Sequence, residues 1–326
     1  MVKEEDPRNF RVQFGKIRNR LNFMCQWSID EGIDEIKKAL EDPHLDPFSS
    51  RYFNVDRMKE LMQTPVDQGG EPVAARFIPL SKVSLCPEEE EAVLSVLRNE
   101  TLAFEPRTSA FEKAFSETVS APHTVAVSSC TAALHLCLAH LGVGPGDEVV
   151  ISPISNASVG NVVLQLGAKI VFADVEPETM NMAPQSLESV ITPRTKVILP
   201  THMAGRPCDL DAIHAIAAKH GITVVENAAH GLGAKYKGIP IGNSGNLTCF
   251  SLDGIKNIAG LEGGMIAVTD GGIAERLRIM AANGMAAAAE NGPECIGTAT
   301  SRRVVMPGYK CAMNNVSAAI GLEQLK

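Results

Sequence analysis

No membrane-length apolar run occurs anywhere in the 326 residues, so no helix is expected to span a bilayer. The N-terminus, Met1-Val-Lys-Glu-Glu-Asp6, lacks the apolar core of an export signal. Positive charge is short as well: the formal net charge is −8, which argues against nucleic acid as the main partner. None of the eight cysteines forms a C-x-x-C pair, so neither structural zinc nor a disulfide framework is expected, and several cysteines lie in apolar segments as reduced core residues do. The simplest expectation is a cytoplasmic protein without a metal. What is present in quantity is apolar sequence, 45% of the chain, enough for a large core, and the length suggests two domains.

Residues 1–70 differ from the rest. Ser28 to Leu40 reads as an amphipathic helix, with Ser28 as N-cap and Ile29, Ile33, Ile36 and Leu40 on one stripe. The run Pro65 to Val73, with its glycine pair and prolines, reads as a linker. Helices are expected over Pro87–Asn99, whose four glutamates suit the positive end of the helix dipole, and over Thr108–Val119.

From His123 short apolar runs alternate with helical segments. Strands are expected at Thr124–Val127, Glu148–Ser152, Lys169–Ala173, Lys196–Leu199 and Thr223–Glu226, then at Leu247–Leu252 and Met265–Thr269 with little helix between them. The helices are expected at Thr131–Leu141, Ala157–Leu166, Pro184–Val190, Leu210–His220 and Ile273–Asn283. That pattern predicts an α/β fold with a mostly parallel seven-stranded sheet covered by helices on both faces. Ligands of such sheets bind beyond the carboxyl ends of the strands. Those ends deliver Ser128–Thr131, Ser152–Asn156, Thr201–Met203, Glu226–His230 and the turn that holds Lys256.

Lys256 is the leading catalytic candidate. A lysine held between two apolar strands can lose its proton, because burial disfavours the ammonium form, and then attack a carbonyl, as in a Schiff base with pyridoxal phosphate. The alternative is a lysine snorkelling from a surface turn. Ser129-Cys130-Thr131 opens a helix whose free N–H groups suit an anion, though an ordinary N-cap explains the serine equally. Ser251 adds a second hydroxyl, so a phosphate between Thr131 and Ser251 with an aldehyde reaching Lys256 makes a pyridoxal phosphate site.

The chain from about Ile78 to Lys326 resembles the sugar aminotransferases of the DegT/DnrJ/EryC1/StrS type, which are fold type I pyridoxal phosphate enzymes. The resemblance rests on Phe111–Phe115, Ser128-Ser-Cys-Thr-Ala-Ala-Leu134, Gly146–Val149, Leu166–Lys169, Ile191–Lys196, His202-Met-Ala-Gly205, Glu226-Asn-Ala-Ala-His230, Phe250-Ser251 with Lys256-Asn257, Glu262-Gly-Gly264 and Gly308-Tyr-Lys310. Among its subfamilies, the one that makes UDP-4-amino-4-deoxy-arabinose for lipid A is the most similar. The resemblance implies that Lys256 carries the cofactor and shuttles the proton. It implies that Thr131, Ser251 and the N–H of Cys130 hold the phosphate, and that His230 lies near the phenolic oxygen. It also implies that Gly308–Lys310 reaches a neighbouring subunit in a homodimer. The donor is expected to be glutamate and the acceptor a 4-keto nucleotide sugar, for cell-surface polysaccharide or lipid A sugars. Residues 1–70, in Asn9–Phe23, the helix that follows and the run from Asp46-Pro to Val55, resemble the C-terminal tail of NAD-dependent nucleotide-sugar epimerases, but the region has neither G-x-G-x-x-G nor Tyr-x-x-x-Lys, so no dehydrogenase activity follows. That tail is expected to pack loosely, and residues 71–326 to form an incomplete large domain.

Four departures from the family pattern stand out. Asn227 replaces the aspartate that keeps the cofactor's ring nitrogen protonated, which predicts impaired transamination; as an alternative, the asparagine is purely structural. Asn156 stands where an aromatic residue usually stacks on the ring. Cys130 stands where glycine is commonest. The sequence ends at Lys326 within an apolar-periodic helix, Val316–Leu325, as a truncated frame or fragment would, so the family's small C-terminal domain is expected to be missing. A catalytically inactive fragment, or a binding partner of an intact homologue, is therefore the competing expectation. A sugar dehydratase of the same fold, with histidine in place of the lysine, is disfavoured by Lys256.

Overall fold

A computed structural model describes residues 85–99, 102, 106–259, 262–287 and 302–326. The expectations for residues 1–70 lie outside these residues. Pro79–Lys326 form one compact unit.

The first helix, α1 (Pro87–Asn99), starts with proline at a position that needs no N–H donor, places Glu88, Glu89 and Glu90 in its first turn and ends near Arg98. Next come α2 (Arg107–Val119), β1 (His123–Val127), α3 (Cys130–His140), β2 (Glu148–Ile151), α4 (Ala157–Gln165) and β3 (Lys169–Phe172). They are followed by α5 (Pro184–Val190), β4 (Thr195–Leu199), α6 (Leu210–His220) and β5 (Thr223–Asn227). A short hairpin, β6 (Lys235–Tyr236) and β7 (Ile239–Pro240), precedes β8 (Leu247–Ser251), β9 (Gly264–Val268) and α7 (Gly271–Ala281). A two-stranded ribbon, β10 (Met285–Ala287) with β11 (Arg302–Val304), and the helix α8 (Asn315–Gln324) complete the described elements. Side-chain caps start most of these helices: Ser129 accepts from the N–H of Ala132, Asp209 from Ala212, Asp270 from Ile273 and Asn314 from Ser317.

The seven-stranded sheet has the order β1-β9-β8-β5-β4-β2-β3. The ladders among β3, β2, β4, β5 and β8 are parallel, and β9 runs antiparallel to both β1 and β8. β9 alone therefore opposes the other six. This is the α/β, mostly parallel sheet the sequence predicts, with most element ends within one or two residues of expectation. The hairpin β6–β7 and the ribbon β10–β11 were not expected; two- and three-residue strands carry too little apolar periodicity to stand out.

Alternation along each strand divides the core. Val149, Ile151, Val197, Leu199, Val225 and Cys249 bury into one cluster with α3, while Val150, Ile198 and Val224 face a second with Leu187 and Ile213. A third, on the α2 and α8 side, holds the Phe111, Phe115 and Phe250 rings, paired edge to face at centroid separations of 5.9 and 5.2 Å. The strand β3 departs from the expectation of coverage on both faces, because Lys169 and Phe172 are exposed. It is the sheet's edge, where only one neighbour packs. Among the described residues no helix is long and apolar enough to cross a membrane, and no cluster of His, Cys, Asp and Glu is placed to hold a metal.

Glu148 fastens the amino ends of three strands. Its buried carboxylate accepts from Thr192 Oγ1 at 2.5 Å, from Arg194 at 2.8 and 3.2 Å, and from Lys169 Nζ at 3.3 Å. The Thr192 hydroxyl is the chief cause that draws its pKa down to about 2; burial opposes this, and Arg194 and Lys169 add to it. A carboxyl with a depressed folded-state pKa contributes stability above its unfolded pKa and loses it as pH falls through the folded value. Part of the protein's stability is therefore expected to disappear between the ordinary glutamate range and pH of about 2. Urea titrations across that window should show a shallower pH dependence for Glu148→Gln than for the wild type; identical slopes would assign the dependence to other groups.

Candidate functional site at the carboxyl ends of the strands

β1, β8 and β9 bring three parts of the site together. Gly264, first in β9, lies against the peptide that opens α3: a Cβ there would fall 2.4 Å from the carbonyl carbon of Ser129 and 2.6 Å from the nitrogen of Cys130. Only glycine permits this approach. Ser251, the last residue of β8, pairs with the same Gly264, so its half-buried side chain is delivered beside the start of α3. The Ser129 hydroxyl takes the N–H of Ala132, which leaves the N–H groups of Cys130 and Thr131 without an acceptor among the described residues. The Thr131 side chain is exposed. Two spare N–H groups and two hydroxyls at the positive end of a helix form a cradle of donors for an anion.

Lys256 occupies the turn between β8 and β9. Its backbone N–H donates to the carbonyl of Asp253 at 2.8 Å, which closes the turn, and Ile258 and Ala259 after it are buried. Among the described residues its amine has no hydrogen-bond or ion-pair partner. Its charge is felt by two residues from other elements. Burial pushes the His230 imidazole below its ordinary value, and Lys256 pushes it further the same way. Burial pushes the Cys130 thiol up to about 12, Cys137 adds to the rise and Lys256 opposes it. Lys256 thus acts electrostatically on both His230 and Cys130, though 100 or more residues separate it from Cys130 along the chain. His230 Nδ1 is buried with no hydrogen-bond partner among the described residues. The imidazole is neutral near pH 7 and has an atom left for a ligand.

Asn227 ends β5 and is 3% exposed. Its Oδ1 accepts from the N–H of Ala229 at 3.1 Å and lies 3.9 Å from Cys130 Sγ; its Nδ2 donates to Thr201 Oγ1 at 3.2 Å. Thr201 in turn shares a 3.2 Å hydrogen bond with Ser155 Oγ. The strand ends are stitched by backbone bonds, Asn227 N–H to Pro200 O at 2.9 Å, His202 N–H to Asn227 O at 3.0 Å and Ala228 N–H to Cys249 O at 2.8 Å. Asn156 lies on the rim, exposed, with its side-chain oxygen capping α4 through the N–H of Ser158 at 2.9 Å. The segment Gly308–Cys311 is also tied in: Tyr309 N–H donates to Met280 O at 2.7 Å, and Ser128 N–H to Cys311 O at 2.7 Å. The Tyr309 ring meets His135 edge to face at 4.7 Å.

One pairing is not visible in the sequence. On the face of β5 opposite Asn227, Glu226 is fully buried and accepts from His202 Nε2 at 2.8 Å, from Asn246 Nδ2 at 2.6 Å and from the Ser244 hydroxyl. His202 Nδ1 accepts the N–H of Cys208 at 3.1 Å, so the ring proton sits on Nε2 and points at the carboxylate. Burial pushes the Glu226 carboxyl up, and the bonds from His202, Ser244 and Asn246 outweigh it and hold the group below the usual carboxylate range. Gly205, φ +83°, turns the chain after His202 and packs so closely on His230 that a Cβ would meet its carbonyl oxygen at 2.7 Å. The sequence offers His202–Gly205 and Glu226–His230 as family-like runs at strand ends, but nothing in it pairs His202 with Glu226.

Comparison with known proteins accords with this arrangement. The model of the DegT/DnrJ/EryC1/StrS aminotransferase family matches residues 84–326. The chain is 43% identical over 250 residues to the spore coat polysaccharide biosynthesis protein SpsC of Bacillus subtilis (strain 168), covering 77% of this chain and 64% of that protein. Among solved structures, the PLP form of Spr1654 from Streptococcus pneumoniae superposes with a TM-score of 0.69 at 31% identity, over 76% of this chain and 66% of that one. An aminotransferase from Psychrobacter cryohalolentis superposes with a TM-score of 0.71 at 32% identity, over 76% of this chain and 63% of its own. The chain thus spans a little under two thirds of the length of these relatives.

The buried network under β5 yields a stability prediction. Glu226→Ala leaves the buried His202 Nε2–H and the half-buried Ser244 and Asn246 donors without their acceptor and is expected to cost about 3 kcal/mol. A urea midpoint unchanged from the wild type would show that water replaces the carboxylate there.

Proposed function

The chain belongs to the DegT/DnrJ/EryC1/StrS aminotransferase family, and from that premise we propose that it holds pyridoxal phosphate and moves an amino group from glutamate to a 4-keto nucleotide sugar destined for a cell-surface glycan. The observation that carries this reading is the donor cradle at the start of α3, where Gly264 admits the Ser129–Cys130 peptide and Ser251 pairs beside it, with Lys256 on the turn that follows β8. The unpartnered His230 Nδ1 and the spare N–H groups of Cys130 and Thr131 fit a phosphorylated aromatic aldehyde. The name of SpsC joins it to polysaccharide biosynthesis, and Spr1654 has both a PLP and a PMP form, which favours amino transfer to a sugar.

When bound, the cofactor supplies an aldehyde for the amine and a ring that withdraws electrons from the reacting carbon. In the proposed arrangement Thr131, Ser251 and the N–H of Cys130 hold its phosphate. Lys256 would anchor the aldehyde group through its side-chain amine, and that amine, when free, would serve as the general base and acid for the donor's α-carbon proton. His230, with its buried Nδ1 unpartnered, would hydrogen-bond the phenolic oxygen. Asn156 lies on the rim beside the ring with its Nδ2 group unspent, since its oxygen caps α4. The Gly308–Lys310 turn reaches the site of a second copy in a homodimer. A second reading, the same fold without turnover, is favoured by Asn227, whose neutral amide supplies no charge to hold a proton on the ring nitrogen.

Mixing the protein with pyridoxal phosphate should give a yellow complex. Borohydride reduction should fix the pyridoxyl group on the Lys256 peptide, and Lys256→Ala should abolish it; a label elsewhere, or none, rejects the site. Single-turnover absorbance changes with glutamate then separate the two readings. Asn227→Asp is expected to speed the half-reaction tenfold or more, which corresponds to ~1.4 kcal/mol of barrier. An unchanged rate would mean that Asn227 does not limit the chemistry.

A further inference from the structure

The direction of the Asn227 amide is fixed by its neighbours. The N–H of Ala229 can only donate, so the amide atom 3.1 Å from it is the oxygen. The Cys130 thiol stays protonated and its single hydrogen has two acceptors within reach, this oxygen at 3.9 Å and the Cys249 carbonyl at 3.8 Å. The other end of the amide is therefore the NH2 group. One of its hydrogens goes to Thr201 Oγ1 at 3.2 Å, and the second has no acceptor among the described residues. All that Asn227 has left to offer is a donor.

We propose that Asn227 selects the form of the cofactor whose ring nitrogen carries no proton, by donating its free Nδ2–H to the nitrogen lone pair. The proposal rests on the reading above, in which Asn227 faces that nitrogen. A protonated ring would set N–H against N–H in a buried site, where neither donor finds an acceptor. Thr201 acts as a positioning residue, because its hydroxyl accepts from Asn227 Nδ2 and is itself hydrogen-bonded to Ser155. An aspartate at 227 inverts the polarity without moving an atom: its oxygens still accept from Ala229, and the Thr201 hydroxyl turns from acceptor to donor. The chain is therefore built to hold the cofactor with its weaker electron sink, a property of binding that does not depend on turnover.

The test is nitrogen NMR of the full-length protein loaded with pyridoxal phosphate labelled with 15N in the ring. In the wild type at pH 6 to 8 the bound resonance is expected at the position of the free cofactor's unprotonated nitrogen, measured at high pH in the same buffer. In Asn227→Asp it is expected at the protonated position. A protonated resonance in the wild type overturns the inference and leaves the cofactor reading standing. Failure of the wild type to bind the labelled cofactor overturns both. The wild-type spectrum decides the matter even if the variant does not fold.

Discussion

The approach of β9 to the peptide that opens α3 governs the distance between the sheet and its helix N-terminus. With no Cβ on Gly264, the Ser129–Cys130 peptide rests on the strand itself. Any side chain would lift α3 away and carry the spare N–H groups of Cys130 and Thr131 with it. The same contact sets Ser251 opposite Gly264, so one backbone contact aligns both hydroxyl-bearing segments. β9 can serve this purpose because it runs against its neighbours: its amino end, rather than its carboxyl end, lies at the edge of the sheet where the other strands finish.

Polarity is distributed unequally across β5. One side presents Asn227, whose bonds to Ala229 and Thr201 leave it neutral and oriented. The other presents Glu226, whose charge is enclosed by His202, Asn246 and Ser244. The two are adjacent in sequence, yet the pleat sends them to opposite faces. The buried carboxylate steadies the strand ends through His202 and Cys208 but does not reach the crevice. A site whose charged residue is turned inward and whose outward residue is an amide binds by hydrogen-bond geometry, with Lys256 as the charge felt by both Cys130 and His230.

Much of the fold was legible in the sequence. Helices α1, α5 and α6 have the limits expected from their caps, prolines and apolar stripes, and the strands rise from short apolar runs that only a covered sheet accommodates. The short pairings β6–β7 and β10–β11 and the exposure of the edge strand β3 were not, because they depend on which neighbours a strand acquires. For the candidate site, the position of Thr131, Asn227, His230, Ser251 and Lys256 at or just beyond strand ends was legible, because a parallel sheet gathers those points at one edge.

The sequence by itself determined the elements and the edge of the sheet at which most of its strands finish, because apolar periodicity and capping are local in the chain. Only the tertiary structure decided that β9 reverses, that Gly264 admits the Ser129–Cys130 peptide, that Glu226 is closed off by His202, and that the amide of Asn227 presents its NH2 group. Those outcomes come from hydrogen bonds and contacts between residues tens to more than a hundred positions apart, such as Asn227 with Thr201 and Cys130. Donor and acceptor roles at a buried amide are set by the partners that surround it, and no pattern along the chain names those partners.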